Sequence, residues 1–452
     1  MARGRECDQR RRGRLVVGIV LCFTASYAWG QEAPTRDAGS QPPARATEPA
    51  PISPTPSTPI ASYPLELLGL LAPQAQQGPV TLTPSIAVSE EYNDNVFASN
   101  QSRRSDFITS FAPAITLLIN RPTYELQAGY SFAADIYARE NQLSNAFDRQ
   151  NFIARGLLRL TPALTFNVAE SFAYNRDTRL ATQQAFSTGR QESWSNTFTP
   201  GMTWQMTALN SLSLSAGDSV LRFLGKGTGV DSDTYTFGSL FTHAFTPRLT
   251  GSVGYGFAYI DLHAQGQDDA TSHNPVVGIS YQFTRTLTGS IRGGPAITSV
   301  GGDTILTPGG TASLVQLLSF GSAGLQYTRS VSAAGGFGGT NDTQTASGTL
   351  TVSSLQRGLI IVLTPSYSIA ESVGTKRTQQ AAQGDLHVFN LELGASYQIA
   401  RFTTIFAGYT FLRQRTQGSS ATSSTTSSAT QVDVDQNRVR FGLQFGYPFN
   451  FD

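Results

Sequence analysis

Cysteine is absent from this 452-residue chain beyond its first thirty residues, where Cys7 and Cys22 stand. A body without thiols excludes redox and zinc–thiolate chemistry, and a chain exported unfolded gains by having nothing to trap in a wrong disulfide. Charge is also scarce, at 14% of residues, and lysine occurs only at Lys226 and Lys376. The formal net charge is +1; the first thirty residues hold six Arg against Glu6 and Asp8, or +4, which leaves the remainder near −3. That balance gives a nucleic-acid partner no footing. Long apolar runs are missing too. Beyond the leader no stretch approaches the ~18 apolar residues that a transmembrane helix needs.

What is present is glycine and aromatic side chains: 43 Gly, 27 Phe and 16 Tyr. Few charges, many rings and no apolar run suit a barrel that meets lipid through alternate residues. On composition alone a soluble all-β protein stays open as the rival. The N-terminus reads as an address. Arg10, Arg11, Arg12 and Arg14 precede the short apolar core Leu15–Phe23, and Ala28-Trp29-Gly30 offers a small-residue cut before Gln31. Such a core is too short to span a bilayer, so residues 1–30 read as a signal peptide. Residues 31–79 follow as a linker, densest in proline over Glu48–Pro59. Frequent proline fixes φ and removes amide donors, so this segment is expected to be extended and periplasmic. Leu65–Leu71 is an apolar island within it, read as a docking helix, a fragment in the barrel mouth or unstructured chain.

From Val80 the pattern has period two. In Tyr124–Ile136 the even positions are Tyr124, Leu126, Ala128, Tyr130, Phe132, Ala134 and Ile136, while the odd ones are small or polar. Successive strand side chains face opposite ways, so one face is apolar and the other polar. The split recurs in Leu249–Tyr259, Phe389–Ile399 and Val439–Phe451. About eighteen such segments follow one another. Their connections alternate between short turns with a shared phrase (Thr161-Pro-Ala-Leu-Thr165, Thr246-Pro-Arg-Leu-Thr250, Thr284-Arg-Thr-Leu-Thr288) and longer polar loops such as Asp177–Arg190, Asp261–Ser272 and Ser372–Asp385. A soluble sandwich has no reason to lengthen every second loop; an outer-membrane barrel does. The expected fold is all-β, a closed antiparallel transmembrane barrel of about eighteen strands over residues 80–452.

The chain ends Gln444-Phe-Gly-Tyr-Pro-Phe-Asn-Phe-Asp452. Gln444, Gly446, Phe449 and Phe451 fill the places of the terminal sorting signal of outer-membrane barrels, with Asp452 as the departure from it. Aromatics there are favoured at the periplasmic interface. The stretch Ser89-Glu-Glu-Tyr-Asn-Asp-Asn-Val-Phe97, followed by Arg103-Arg-Ser-Asp-Phe-Ile108, resembles the opening of the β-barrel porin type-2 family, members of which are encoded in exopolysaccharide loci. The resemblance implies an outer-membrane barrel with a transport or export role and carries over no catalytic residue. Read from the residues, Glu90–Phe97 is a strand end running into an external loop. Glu90, Glu91 and Asp94 are then solvated loop acids, with calcium binding or lipopolysaccharide bridging as the alternative.

Chemistry is sparse. The four histidines, His243, His263, His273 and His387, are spread too widely to suggest a metal site, and no Ser–His–acid set is visible, so neither enzyme, metal nor cofactor is expected. Glycine-rich Gly335–Gly339 lacks the lysine and helix of a phosphate cradle. With the apolar parity outward, Glu125, Asp135, Arg155, Arg159, Arg292, Glu392, Arg438 and Arg440 face the lumen. They either orient polar solutes or pair across strands and fill the interior. Glu170, Asp218, Arg329 and Glu371 fall on the outward parity; each sits at a rim or follows a bulge that flips the register, with the rim expected for Glu371. The Ser/Thr-rich run Gly418–Thr430 reads as a surface loop. The expected partners are outer-membrane lipid and lipopolysaccharide, the barrel-assembly machinery, and a polar solute or polysaccharide. The expected function is porin-like passage or export, with a structural or adhesive barrel of closed lumen as the alternative.

Overall fold

A computed structural model of the chain describes residues 78–177, 190–224, 229–263, 267–333, 339–373, 385–417 and 433–451. Residues 1–77, which hold the expected signal peptide and nearly all of the expected linker with Leu65–Leu71, lie outside the described residues, as do the run Gly418–Thr430 and most of the longer loops.

Strand follows strand in chain order: β1 (Val80–Asn93), β2 (Asp106–Asn120), β3 (Tyr124–Tyr137), β4 (Asn145–Thr161), β5 (Leu164–Asp177), β6 (Arg190–Gln205), β7 (Asn210–Phe223), β8 (Ser232–Ala244) and β9 (Leu249–Leu262). The second half runs β10 (Ala270–Gln282), β11 (Leu287–Val300), β12 (Asp303–Leu318), β13 (Gly321–Ala333), β14 (Thr340–Val352), β15 (Leu359–Val373), β16 (Asp385–Ala400), β17 (Thr403–Gln417) and β18 (Val434–Gly446). A short β19 (Phe449–Phe451) continues β18 past Tyr447-Pro448. From β1 to β18 each strand pairs antiparallel with its sequence neighbours. The ring closes where β1 takes β18 along Ser85↔Gly446 to Asn93↔Arg438 and β19 at Val80↔Phe451. The result is a closed antiparallel barrel of eighteen long strands, the number expected from the alternation. Closure leaves no strand edge unpaired along that seam.

The two faces differ as the alternation requires. Val253, Val277 and Leu325, at 60–64% exposure, share the outer surface with many other large apolar side chains. Inside, hydroxyls face one another across neighbouring strands: Thr197 and Ser219 at 3.0 Å, Ser290 and Ser313 at 2.7 Å, Thr345 and Ser368 at 3.0 Å. Such pairs satisfy small polar groups on a face with no lipid to meet.

Rings gather towards both ends of the outer wall. Towards the end with the longer connections lie Tyr92 against Phe107, Phe172 beside Trp194, and Tyr235 stacked on Tyr259. At the end with short turns, Tyr281 meets Phe283, and Tyr447 lies between Phe402 and Phe449. Two girdles of amphipathic rings around an apolar band match the two interfaces of a bilayer.

The recurring turn phrase has a local cause. The Thr246 hydroxyl accepts the amides of Arg248 at 3.2 Å and Leu249 at 3.0 Å, and Thr284 does the same for Thr286 and Leu287 at 3.2 and 3.0 Å. Thr161 takes the Ala163 amide at 3.2 Å. Threonine at the first turn position thus satisfies the donors that a tight reversal leaves open.

Candidate functional site

Where polar side chains converge inside the barrel, they do so at the end with the longer connections, against β1, β2, β3, β4 and β18. Glu91 is 2% exposed and turned inward, on the same side of β1 as buried Thr81, Thr83, Ser89 and Asn93. Arg438 donates to it through Nε at 2.8 Å and Nη2 at 3.1 Å, and Arg440 through Nε at 2.8 Å. One carboxylate therefore clasps two guanidiniums across the closing seam. Next to it, Arg149 donates to Asp135 at 3.1 Å and to Ser110 at 2.9 Å, and Ser110 also donates to Asp135. Arg190 caps Tyr137, donating to its hydroxyl at 3.2 Å with the guanidinium carbon 5.3 Å from the ring centre.

The strand does end within Glu90–Phe97 and run into a loop, as read from the sequence, but Glu91 and its neighbours correct the reading of the acids there as solvated. β1 continues to Asn93, and the segment after it turns in over the barrel mouth. Asn95 is fully buried: its amide N–H meets Asn93 Oδ1 at 2.9 Å, its Nδ2 donates to the Asp435 carbonyl at 2.9 Å, and its own carbonyl accepts Gln436 Nε2 at 2.7 Å. Asp94 accepts the Asn437 amide and side chain at 2.8 and 2.7 Å and pairs with Arg103. Val96 packs on Ile108 and Tyr137, while Ala98 joins Ala370, Leu386, Val388, Leu412 and Val434. Glu90 faces outward and accepts Thr109 at 2.7 Å. None of the three acids is a free loop carboxylate.

The cavity beneath this inturned segment is small, about 50 Å³, and its lining holds Glu91 and Asp135 against Arg149, Arg176, Arg190, Arg438 and Arg440. Among the described lining residues, positive charges outnumber negative ones by five to two.

The other interior candidates divide between pairing and isolation. Glu125 pairs with Arg159 at 2.6 Å near the short-turn end. Glu392 is buried inside β16 and accepts Asn390 Nδ2 at 3.0 Å. Arg155 stands opposite Gln127 and Ala169 on the inner face and is exposed to the interior. Arg292 lies inside β11, opposite Gly278 and Thr311. Gln444 is buried and Gly446 pairs with Ser85, whereas Phe449 and Phe451 are exposed on the outside.

Among the charged residues of the mouth, Arg149, Arg176 and Arg190 are absent from the sequence reading, which placed Glu91 among the loop acids. The alternation that turns Arg155 inward extends along β4 to Arg149, and the parity of Ser89 and Asn93 carries Glu91, so both were legible. Arg190 was not. The register shift between Asn175 and Asp177 brings it to the mouth.

Of the four charged residues of outward parity, Glu170 and Asp218 face outward with no bulge at either, whereas Arg329 reaches an interior cavity that Arg292 also lines. Glu371 lies opposite Asp342 close to the end of β15, and Arg329 holds Asp342 through Nη2 at 2.7 Å. Glu170 and Asp218 flank Phe198 in one row across β5, β6 and β7, with Tyr235 next in line. Glu170 takes its donor from Asn196 at 3.2 Å.

Each histidine has a local partner. His243 meets Asn210 at 2.7 Å, His273 meets the Tyr255 hydroxyl at 2.6 Å and His387 the Tyr367 hydroxyl at 2.8 Å. His263 approaches Asp233 and Asp261 at 3.3 and 3.4 Å, a grouping hidden in sequence because its acids come from two strands. Arg222 also engages Asp233, at 2.8 Å.

No protein-family model matches the chain, and no curated protein matches it either. The resemblance of Ser89–Ile108 therefore stands on those residues alone. Among solved structures, the chain is similar to Acinetobacter baumannii OccAB4 (TM-score 0.42, 11% identity, 83% of this chain and 99% of that one). It is similar to the Pseudomonas aeruginosa outer membrane protein OpdK (0.41, 13%, 82% and 99%) and siderophore receptor PirA (0.40, 7%, 81% and 80%). At these values the architecture is read from the chain's own strand ladders.

Proposed function

We propose that the protein is a channel of the bacterial outer membrane, with its N-terminus on the periplasmic side, that admits small polar anions. The observation that carries this reading is the predominance of guanidinium groups, five to two carboxylates, among the described residues that line the mouth. The apolar band between two aromatic girdles supports the membrane placement. Fixed positive charge in a narrow, low-dielectric passage raises the local concentration of anions and repels cations. Guanidinium groups also offer a carboxylate or sulfate paired N–H donors in place of its lost water. Small solutes suit this mouth better than exopolysaccharide. Glu91 and Asp135 brace the arginines into the wall, and a polymer would require the inturned Asp94–Ala98 segment to swing clear.

The test is conductance in a planar bilayer under a potassium chloride gradient. The expected result is a steady pore with a reversal potential on the chloride side. A cation-selective pore refutes the proposal. Silence from protein shown to be folded refutes it as well and favours a structural barrel whose lumen is closed by the same segment.

A further inference from the structure

The wall of β10–β13 departs from the regular ladder. β12 and β13 pair only from Gly310↔Arg329 to Leu318↔Gly321; beyond, Asp303–Gly309 pairs with β11 alone and Ser330–Ala333 with β14 alone. Between β10 and β11 the rungs stop at His273↔Ile297 and resume at Val277↔Gly293. Proline explains the break. Pro275, Pro295 and Pro308 sit on three successive strands, Pro295 directly opposite Pro308, and none has an amide to donate. Glycine lets the strands close in around them: a Cβ on Gly294 would stand 1.8 Å from the Pro275 carbonyl oxygen, and one on Gly310 2.4 Å from that of Arg292.

With β12 released, the outer end of β13 crosses towards β9. Ala333 packs on the interior cluster of Ile260, Leu262, Ala270 and Val300, and the Gly339 amide beyond β13 donates to Gln267 at 2.6 Å. Between β13 and the inner face of β8–β11 this leaves a bay of about 120 Å³, beside the gap in the wall. Its sides include Leu240, Ala258, Ile260, Val276 and Val331, and Arg292, Asn274 and the Asp342-paired Arg329 also reach it. Arg292 Nε and Asn274 Oδ1 are buried without a hydrogen-bond partner, as is Thr307 Oγ1 on the same wall; together they are half of the six such side-chain atoms among the described residues. Leaving a buried donor unpaired is costly, so the Arg292 Nε–H asks for an acceptor from outside the chain.

The geometry points to a binding site for an amphipathic carboxylate. Its head group pairs with Arg292, its apolar tail lies along Leu240, Val276 and Val331, and a longer tail leaves through the gap between β12 and β13. A guanidinium presents two parallel donors to a carboxylate, and the apolar walls reject a head group that brings no tail. This site is separate from the arginine-rich mouth, and its occupation does not depend on whether the pore conducts.

Saturation-transfer NMR on the full chain in lipid nanodiscs tests it, with hexanoate as probe, acetate as the tail-less control, 1-hexanol as the uncharged one and empty nanodiscs as the blank. Hexanoate is expected to receive saturation well above the blank, and neither control to displace it at equal concentration. Arg292→Gln is expected to weaken hexanoate at least tenfold and Arg155→Gln to leave it unchanged. Val331→Asp, which alters the tail side only, serves if the first variant does not fold, and it too is expected to abolish binding. Hexanoate at the level of the blank, displacement by acetate, or full binding in Arg292→Gln each overturns the proposal and leaves a bay filled by water.

Discussion

Replacing Glu91 by glutamine separates the two roles of the clasp at the barrel mouth. The carboxylate is buried between Arg438 and Arg440 and accepts three hydrogen bonds of 2.8–3.1 Å. An amide keeps the shape but removes the charge, so two guanidiniums lose their shared counter-ion in a place with little water. Breaking a buried ion pair by removing one partner costs about 3–5 kcal/mol. An amide oxygen still accepts one donor, which makes roughly 2–3 kcal/mol the expected loss. Selectivity moves the other way. Among the described lining residues the mouth goes from five positive against two negative charges to five against one. A unit charge about 8 Å from a permeating ion in water is worth ~0.5 kcal/mol, and its removal favours chloride and disfavours potassium by that amount each, so chloride should gain about fivefold over potassium. Stability is read from urea midpoints in vesicles, and selectivity from reversal potentials. A double-mutant cycle with Arg438→Gln should return a coupling of about 1.5–3 kcal/mol. A Glu91→Gln barrel with unchanged midpoint and unchanged reversal potential would refute the reasoning, since neither the brace nor the charge count could then be right.

Two further changes probe the frame. Thr246→Ala removes the hydroxyl that takes the Arg248 and Leu249 amides; a midpoint lower by about 0.5–2 kcal/mol is expected, on the scale of lost caps, while Thr246→Ser should recover most of it. Glu170→Leu together with Asn196→Leu replaces a polar pair on the outer wall by apolar side chains. The doubly substituted barrel should be more stable in vesicles by roughly 1–2 kcal/mol, given that charged groups facing lipid cost up to ~2–4 kcal/mol at the midplane. A loss of stability would mean that this row is covered by something other than lipid.

Alternation made much of this molecule legible. The strand count, the split into an apolar and a polar face and the inward placement of Arg438 and Arg440 follow from period two, because a strand has no other way to distribute its side chains. The turn phrase was visible as a repeat, and its purpose became clear once Thr246 and Thr284 were seen to hold two amides each. Glu91 obeyed the same parity rule but was hidden by its neighbours, since Tyr92-Asn-Asp-Asn looks like the start of a loop. Arg190 could not be placed from alternation, because the shift between Asn175 and Asp177 breaks the count on which alternation depends.

Composition and periodicity by themselves therefore determined a closed antiparallel wall and which side chains turn inward along each regular strand. These are local properties, set by the two-residue repeat of the extended backbone. Which inward charges meet was decided only by the ring. Glu91 and Arg438 lie at opposite ends of the chain and become neighbours because β1 closes on β18. The bay at Arg292 likewise needed three prolines on separate strands brought to one level, and no stretch of sequence holds the register that puts them there.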